Sequence, residues 1–147
     1  MSIFNENIEP NLWGPSAWKF IHYTALAYPM EPTDKQKKEY FTFFHNLQNT
    51  LPCKKCSHNY MQNLQEIPLE NALDNNDSLF KWTIDMHNEV NKELGKKIYS
   101  YEEIYREFYN HQNNSQYETI MFLALLLLAF FIILFIQKKT NLFSRLF

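Results

Sequence analysis

Glycine is almost missing from this chain. Among 147 residues there are two, Gly14 and Gly95. That scarcity excludes glycine loops that cradle phosphates and argues against a hairpin-rich β fold. Cysteine is equally sparse: Cys53 and Cys56 are the whole complement. One close pair cannot make a disulfide-stapled scaffold. Positive charge is not in excess either. The formal net charge is −2, so there is no basic field to attract nucleic acid, and no nucleic-acid partner is expected. No basic, hydrophobic leader precedes Asn5-Glu6-Asn7, so no cleavable signal peptide is expected.

What the chain has in quantity is apolar bulk. Aromatic residues make up 17% of it and are spread along its length, as in a helical core rich in Phe and Tyr. From Ile120 to Ile136 the sequence is unbroken apolar. A helix of that length covers about 25 Å, slightly less than a hydrocarbon core of about 30 Å. Tyr117 and Thr119 lengthen it on one side, and snorkelling Lys138 and Lys139 on the other. A helix apolar all round needs a large protein to bury it, and the rest of this chain is too short to supply one. Residues 118–137 therefore read as a transmembrane helix. The expected division is an N-terminal extension (1–11), a helical domain (12–109), a polar linker (110–117), the span, and a basic tail (138–147). The expected topology is a tail anchor with the domain in the cytosol.

The domain reads as consecutive helices. Pro15 suits the first turn of a helix on which Trp18, His22 and Ala25 share one face. Pro29 and Pro32 end that helix. Thr33 and Gln36 have capping-box spacing for a second helix to about Gln48, with Tyr40, Phe44 and Leu47 along one stripe. Pro52 restarts the chain and sets Cys53 in the first turn of a third helix, through about Leu64. Residues 67–77 read as a loop. Asp77 or Ser78 is expected to cap a fourth helix, which carries the apolar stripe Leu79, Trp82, Met86 and Val90 and closes at Gly95. A short fifth helix is expected from Ser100 to about Tyr109.

The cysteine pair carries the chemistry. At a helix N-terminus, beside Lys54 and Lys55, a thiol is biased toward thiolate. A disulfide closing so short a loop stabilises a fold little, so a reactive dithiol is the favoured reading. Two alternatives stay open. The pair is half of a zinc site that recruits His45 or His58, in a tail-anchored helical adaptor, or it is two inert core thiols. A thioredoxin-like motif is disfavoured because no strand precedes it.

Three segments in order sharpen this: Trp13-Gly14-Pro15-Ser16-Ala17-Trp18 with His22, then Cys53-Lys54-Lys55-Cys56, then His87-Asn88-Glu89-Val90-Asn91-Lys92-Glu93-Leu94-Gly95-Lys96. Together they resemble the Erv/Alr family of FAD-linked sulfhydryl oxidases. The Trp-Gly-Pro start resembles the branch carried by large double-stranded DNA viruses; cellular members usually have an arginine where Pro15 stands. The resemblance implies an all-α fold, a four-helix bundle plus a short fifth helix, followed here by the transmembrane helix. It implies a homodimer that binds FAD and passes electrons from a dithiol protein substrate, such as a thioredoxin-like shuttle, to O2, giving H2O2. Cys53 matches the cysteine attacked by substrate, and Cys56 the one facing the flavin. Trp18, His22, His87, Asn88, Asn91 and Lys96 match cofactor-contacting positions, Leu94 and Phe108 lesser ones, and Tyr28 a weaker one. No metal is implied. The implied location is a host intracellular or virion membrane. Two departures stand out. Ile84 and Tyr101 occupy positions where many cellular members carry a structural disulfide, and Lys97 replaces the usual proline.

Overall fold

The computed structural model describes residues 8–143, so part of the expected N-terminal extension and of the basic tail, with Arg145, lies outside the described residues. These residues form helices and no strand: α1 (Pro10–Leu26), α2 (Asp34–Thr50), α3 (Lys54–Glu66), a 3-10 turn (Leu69–Ala72), α4 (Asn76–Glu93) and α5 (Tyr101–Phe143). The chain divides into two compact units at Tyr101, a four-helix unit before it and a second unit made by the rest of the chain.

Helix α1 starts earlier than Pro15 predicts. Pro10 sits at its first position, where a missing N–H costs nothing. Pro15 lies inside the helix. Its ring would press on an ordinary preceding residue, and Gly14, without a Cβ, relieves that contact. The Thr33/Gln36 capping box forms as expected. For α4 the cap is Asn75, not Asp77 or Ser78. Ser78 supplies the N–H that Asn75 Oδ1 accepts at 2.9 Å, and Asp77 accepts from Lys81 Nζ at 2.7 Å. The expected loop 67–77 also contains the 3-10 turn.

The core of the first unit is aromatic, as the composition predicts. Phe44, Leu79 and Phe80 are fully buried, and Tyr28, Tyr60 and Trp82 nearly so. The Phe44 and Trp82 rings meet edge to face at 5.5 Å, a favoured quadrupole arrangement. Each polar tip is satisfied by a backbone carbonyl. Tyr28 donates to Leu73 O at 2.9 Å, Tyr60 to Phe44 O at 2.9 Å, and Trp82 to Ile67 O at 3.0 Å. These bonds tie helix to helix while leaving no buried donor unpaired.

Contacts along α4 fix its direction. Near its start Trp82 meets Ile67, just beyond α3; at its end Glu93 accepts from Asn63 on α3 at 3.3 Å and from Asn59. Thr83 meets His22, and His87 meets Trp18, on α1. Helix α4 is thus antiparallel to both. The beginnings of α1 and α3 and the end of α4 lie together, and Ile8 N–H closes that end by donating to Pro52 O at 2.7 Å.

The fifth helix does not stop at Tyr109. It is one helix of 43 residues, and the expected linker, 110–117, is helical. That polar stretch contains neither glycine nor proline, so nothing in it breaks the backbone ladder. Within the helix, Thr119–Lys138 is 20 residues long with mean hydropathy 3.2, and none of it is buried. It is long and apolar enough to cross a membrane.

Candidate active site

Cys53 and Cys56 are joined in a disulfide, with their Cα atoms 5.2 Å apart. Cys53 is the N-cap of α3 rather than a first-turn residue, and its Sγ accepts the N–H of Cys56 at 3.1 Å. Cys56 is the third residue of the helix, so both sulfurs face the unpaired N–H groups and the positive end of the dipole. Lys54 and Lys55, both exposed, add charge. Cys53 is 9% exposed and Cys56 is half-buried. Burial therefore does not make Cys53 the more open sulfur. His45 and His58, the possible zinc partners, are both exposed, and His45 faces Gln48. Among the described residues no group of three His, Cys, Asp or Glu side chains is arranged to hold a metal ion.

The second cluster lies between α1 and α4. Trp18 and His87 stack with centroids 4.1 Å apart and planes 8° from parallel. His87 Nδ1 lies 3.1 Å from His22 Nε2, and His22 Nδ1 lies 2.8 Å from Thr83 Oγ1. His22 is 3% exposed and His87 half-buried. Burial, with the neighbouring His87, pushes the His22 pKa down to about 3. Burial, with the positive charge of Lys96, pushes that of His87 down to about 4. Both imidazoles are neutral at pH 7, because burial disfavours the charged form.

The end of α4 places Lys96. Gly95 takes φ +62°, a left-handed conformation that costs glycine little. Gly95 N–H then donates to Lys92 O at 3.1 Å and Lys96 N–H to Asn91 O at 2.8 Å, the paired bonds of a Schellman closure. His87 stands about two turns before this closure, on the face shared with Thr83 and Asn91. Asn91 is buried. Asn88 is committed elsewhere: its Nδ2 donates to Tyr99 O at 2.8 Å and its Oδ1 accepts from Tyr99 N–H at 3.0 Å. That bond pair answers the cost of an amide inside a helix and pins the chain beyond Gly95.

The structure thus gathers Trp18, His22, His87 and Lys96, with Asn91 on the same face of α4. Tyr28 is not brought there: it is a core residue at the far end of α1, with its ring 4.6 Å from that of Tyr40. Leu94 is exposed, and Phe108 belongs to the second unit. Sequence reasoning missed Thr83. Its signal was a polar residue set one turn after Leu79 and one turn before His87, on the buried face of α4.

The family model described as Erv1 / Alr family matches residues 15–111. A protein of Acanthamoeba polyphaga mimivirus, named a probable FAD-linked sulfhydryl oxidase, is 44% identical over 97 residues, covering 65% of this chain and 68% of its own. The FAD-linked sulfhydryl oxidase of African swine fever virus (isolate Pig/Kenya/KEN-50/1950) is 37% identical over 97 residues, covering 66% of this chain and 79% of its own. Among solved structures, the FAD binding domain of Erv1 from Saccharomyces cerevisiae aligns with TM-score 0.60 and 29% identity, over 64% of this chain and 88% of that one.

Proposed function

The chain belongs to the Erv1/Alr family, and we propose that it oxidises pairs of protein thiols through the Cys53–Cys56 disulfide and bound FAD. It is an FAD-linked sulfhydryl oxidase, as its relatives are named. The observation that carries the reading is a disulfide at a helix N-terminus, in the unit that also holds a neutral aromatic cluster.

The residues fit FAD. Trp18 and His87 offer stacked flat faces, suited to the planar rings of a dinucleotide. His22 and His87 are polar without charge, and Lys96 brings one positive charge beside them, suited to a diphosphate. Asn91 adds an amide on the same helix face, while Asn88 serves by holding the backbone at Tyr99. The proposed oxidase domain is residues 12–109, with 118–137 as the membrane span. Two exposed apolar side chains on α1, Leu12 and Phe20, are compatible with the proposed homodimer.

The chemistry is thiol–disulfide exchange. A substrate thiolate attacks Cys53 Sγ; the Cys53–Cys56 bond breaks, and Cys56 departs as a thiolate. Cys56 sits in the first turn of α3, where the dipole and the neighbouring lysines stabilise it, and a stabilised thiolate leaves faster. The second substrate thiolate attacks its own mixed-disulfide sulfur, releasing oxidised substrate and the Cys53 thiolate. Two electrons are then held on the cysteine pair. FAD, when bound, supplies the acceptor for them and the route to O2, which becomes H2O2. With only this pair in the chain, the substrate dithiol comes from another molecule, such as a thioredoxin-like shuttle. The test is the purified full chain: a flavin spectrum, and oxygen uptake with a dithiol that Cys56→Ser abolishes while flavin stays bound. Unchanged uptake in that variant overturns the role of Cys56.

A further inference from the structure

Thr83 is fully buried on α4 and carries one hydroxyl proton. That proton goes to Phe80 O, an acceptor only, at 2.7 Å. Thr83 Oγ1 can therefore only accept from His22, so the nitrogen 2.8 Å away, Nδ1, bears the proton of that ring. A neutral imidazole has one such proton, which leaves His22 Nε2 with a lone pair. His87 Nδ1, 3.1 Å from it, must then be the donor. By the same count His87 Nε2 is left as an acceptor. The order runs without a gap: His87 Nδ1–H to His22 Nε2, His22 Nδ1–H to Thr83 Oγ1, Thr83 O–H to Phe80 O.

Resting on the oxidase reading, we infer that Thr83 is a positioning residue for the cofactor: it fixes the tautomers of His22 and His87 so that His87 offers FAD an acceptor at Nε2 and binds it through a hydroxyl or N–H group. The tautomer of a histidine is set by the bond its other nitrogen makes. In water the opposite form, protonated at Nε2, predominates. Without the Thr83 hydroxyl the cluster loses the group that holds both rings in the minority form. The lowered pKa values of both rings agree, since a neutral pair has definite tautomers at pH 7.

The experiment uses the full chain purified with its flavin in detergent micelles. Imidazole nitrogen NMR at pH 7, with signals assigned through single-histidine variants, reads the tautomers directly. Wild type should show both His22 and His87 protonated at Nδ1. Thr83→Val keeps the shape and removes the hydroxyl; it should shift His22 toward the Nε2–H form and weaken FAD binding about three- to tenfold, the loss of one net hydrogen bond. Thr83→Ser should restore both. An Nε2–H form of His87 in wild type overturns the inference. So does wild-type affinity in Thr83→Val, and so does Thr83→Ser behaving like Thr83→Val, which would reduce the residue to packing. A protein without flavin would instead count against the oxidase reading, and its histidine tautomers would still decide this one.

Discussion

His22 Nε2 and His87 Nδ1 face one another across 3.1 Å, and His22 cannot take a second proton without setting N–H against N–H. The folded pKa values, about 3 and about 4, lie below the unfolded value near 6.5. The unfolded chain therefore binds more protons between these limits, and folding stability falls as pH drops below about 6.5. Each histidine contributes a slope of up to about 1.4 kcal/mol per pH unit, ending near its folded pKa. Denaturant midpoints measured from pH 7 to pH 4 should fall, and His87→Gln should flatten the fall. A wild-type midpoint constant over that range contradicts the neutral pair.

Tyr101 is tied to α4 by a polar bond. Its hydroxyl lies 2.8 and 2.9 Å from the two Asp85 oxygens. Burial, then the Asp85 bond and charge, push the Tyr101 pKa up to about 12. Burial raises the Asp85 pKa, and the Tyr101 bond opposes the rise. Tyr101→Phe should cost about 1 kcal/mol in urea unfolding, less than a buried bond to a charged group because the pair is partly exposed. It should also raise the Asp85 pKa further. A fall in that pKa would contradict the assignment.

The segment before α1 is tied to the residue next to Cys53. Ile8 N–H donates to Pro52 O at 2.7 Å, and the Trp13 indole donates to Ile8 O at 3.2 Å. If this segment limits the approach to Cys53 Sγ, loosening it favours a bulky thiolate. Ile8→Pro deletes the N–H donor and should raise kcat/KM for a protein dithiol, by up to about fivefold if the whole bond opposes access. A small dithiol should gain less. An equal gain for both substrates, or none, would show that the segment does not limit access.

The helical fold was legible because its signals are local. The Thr33/Gln36 capping box, the Trp18/His22/Ala25 face and the aromatic stripes each follow from spacing along one helix. The start of α4 was blurred because Asp74, Asn75, Asn76, Asp77 and Ser78 are all capping types; only the bonds single out Asn75. A linker at 110–117 follows from its Asn, Ser and His residues, which are weak helix formers, but without glycine or proline they do not stop the helix. At the site, Trp18, His22 and His87 came from the motif, but their mutual order did not. Thr83 belongs to that order through a bond between α1 and α4, which no spacing in one strand of sequence records. The bond pair between Asn88 and Tyr99 is equally absent from the spacing, because Tyr99 lies beyond the Gly95 turn.

In the proposed reaction, electrons enter at the Cys53–Cys56 disulfide and leave through bound FAD. The most direct measurement is an anaerobic titration of the purified full chain with a dithiol, following the visible flavin band. Wild type should bleach stepwise and recover when oxygen is admitted, with one peroxide formed per dithiol oxidised, and Cys56→Ser should keep the band but not bleach. A colourless protein, or a Cys56→Ser variant that bleaches at the wild-type rate, would contradict it.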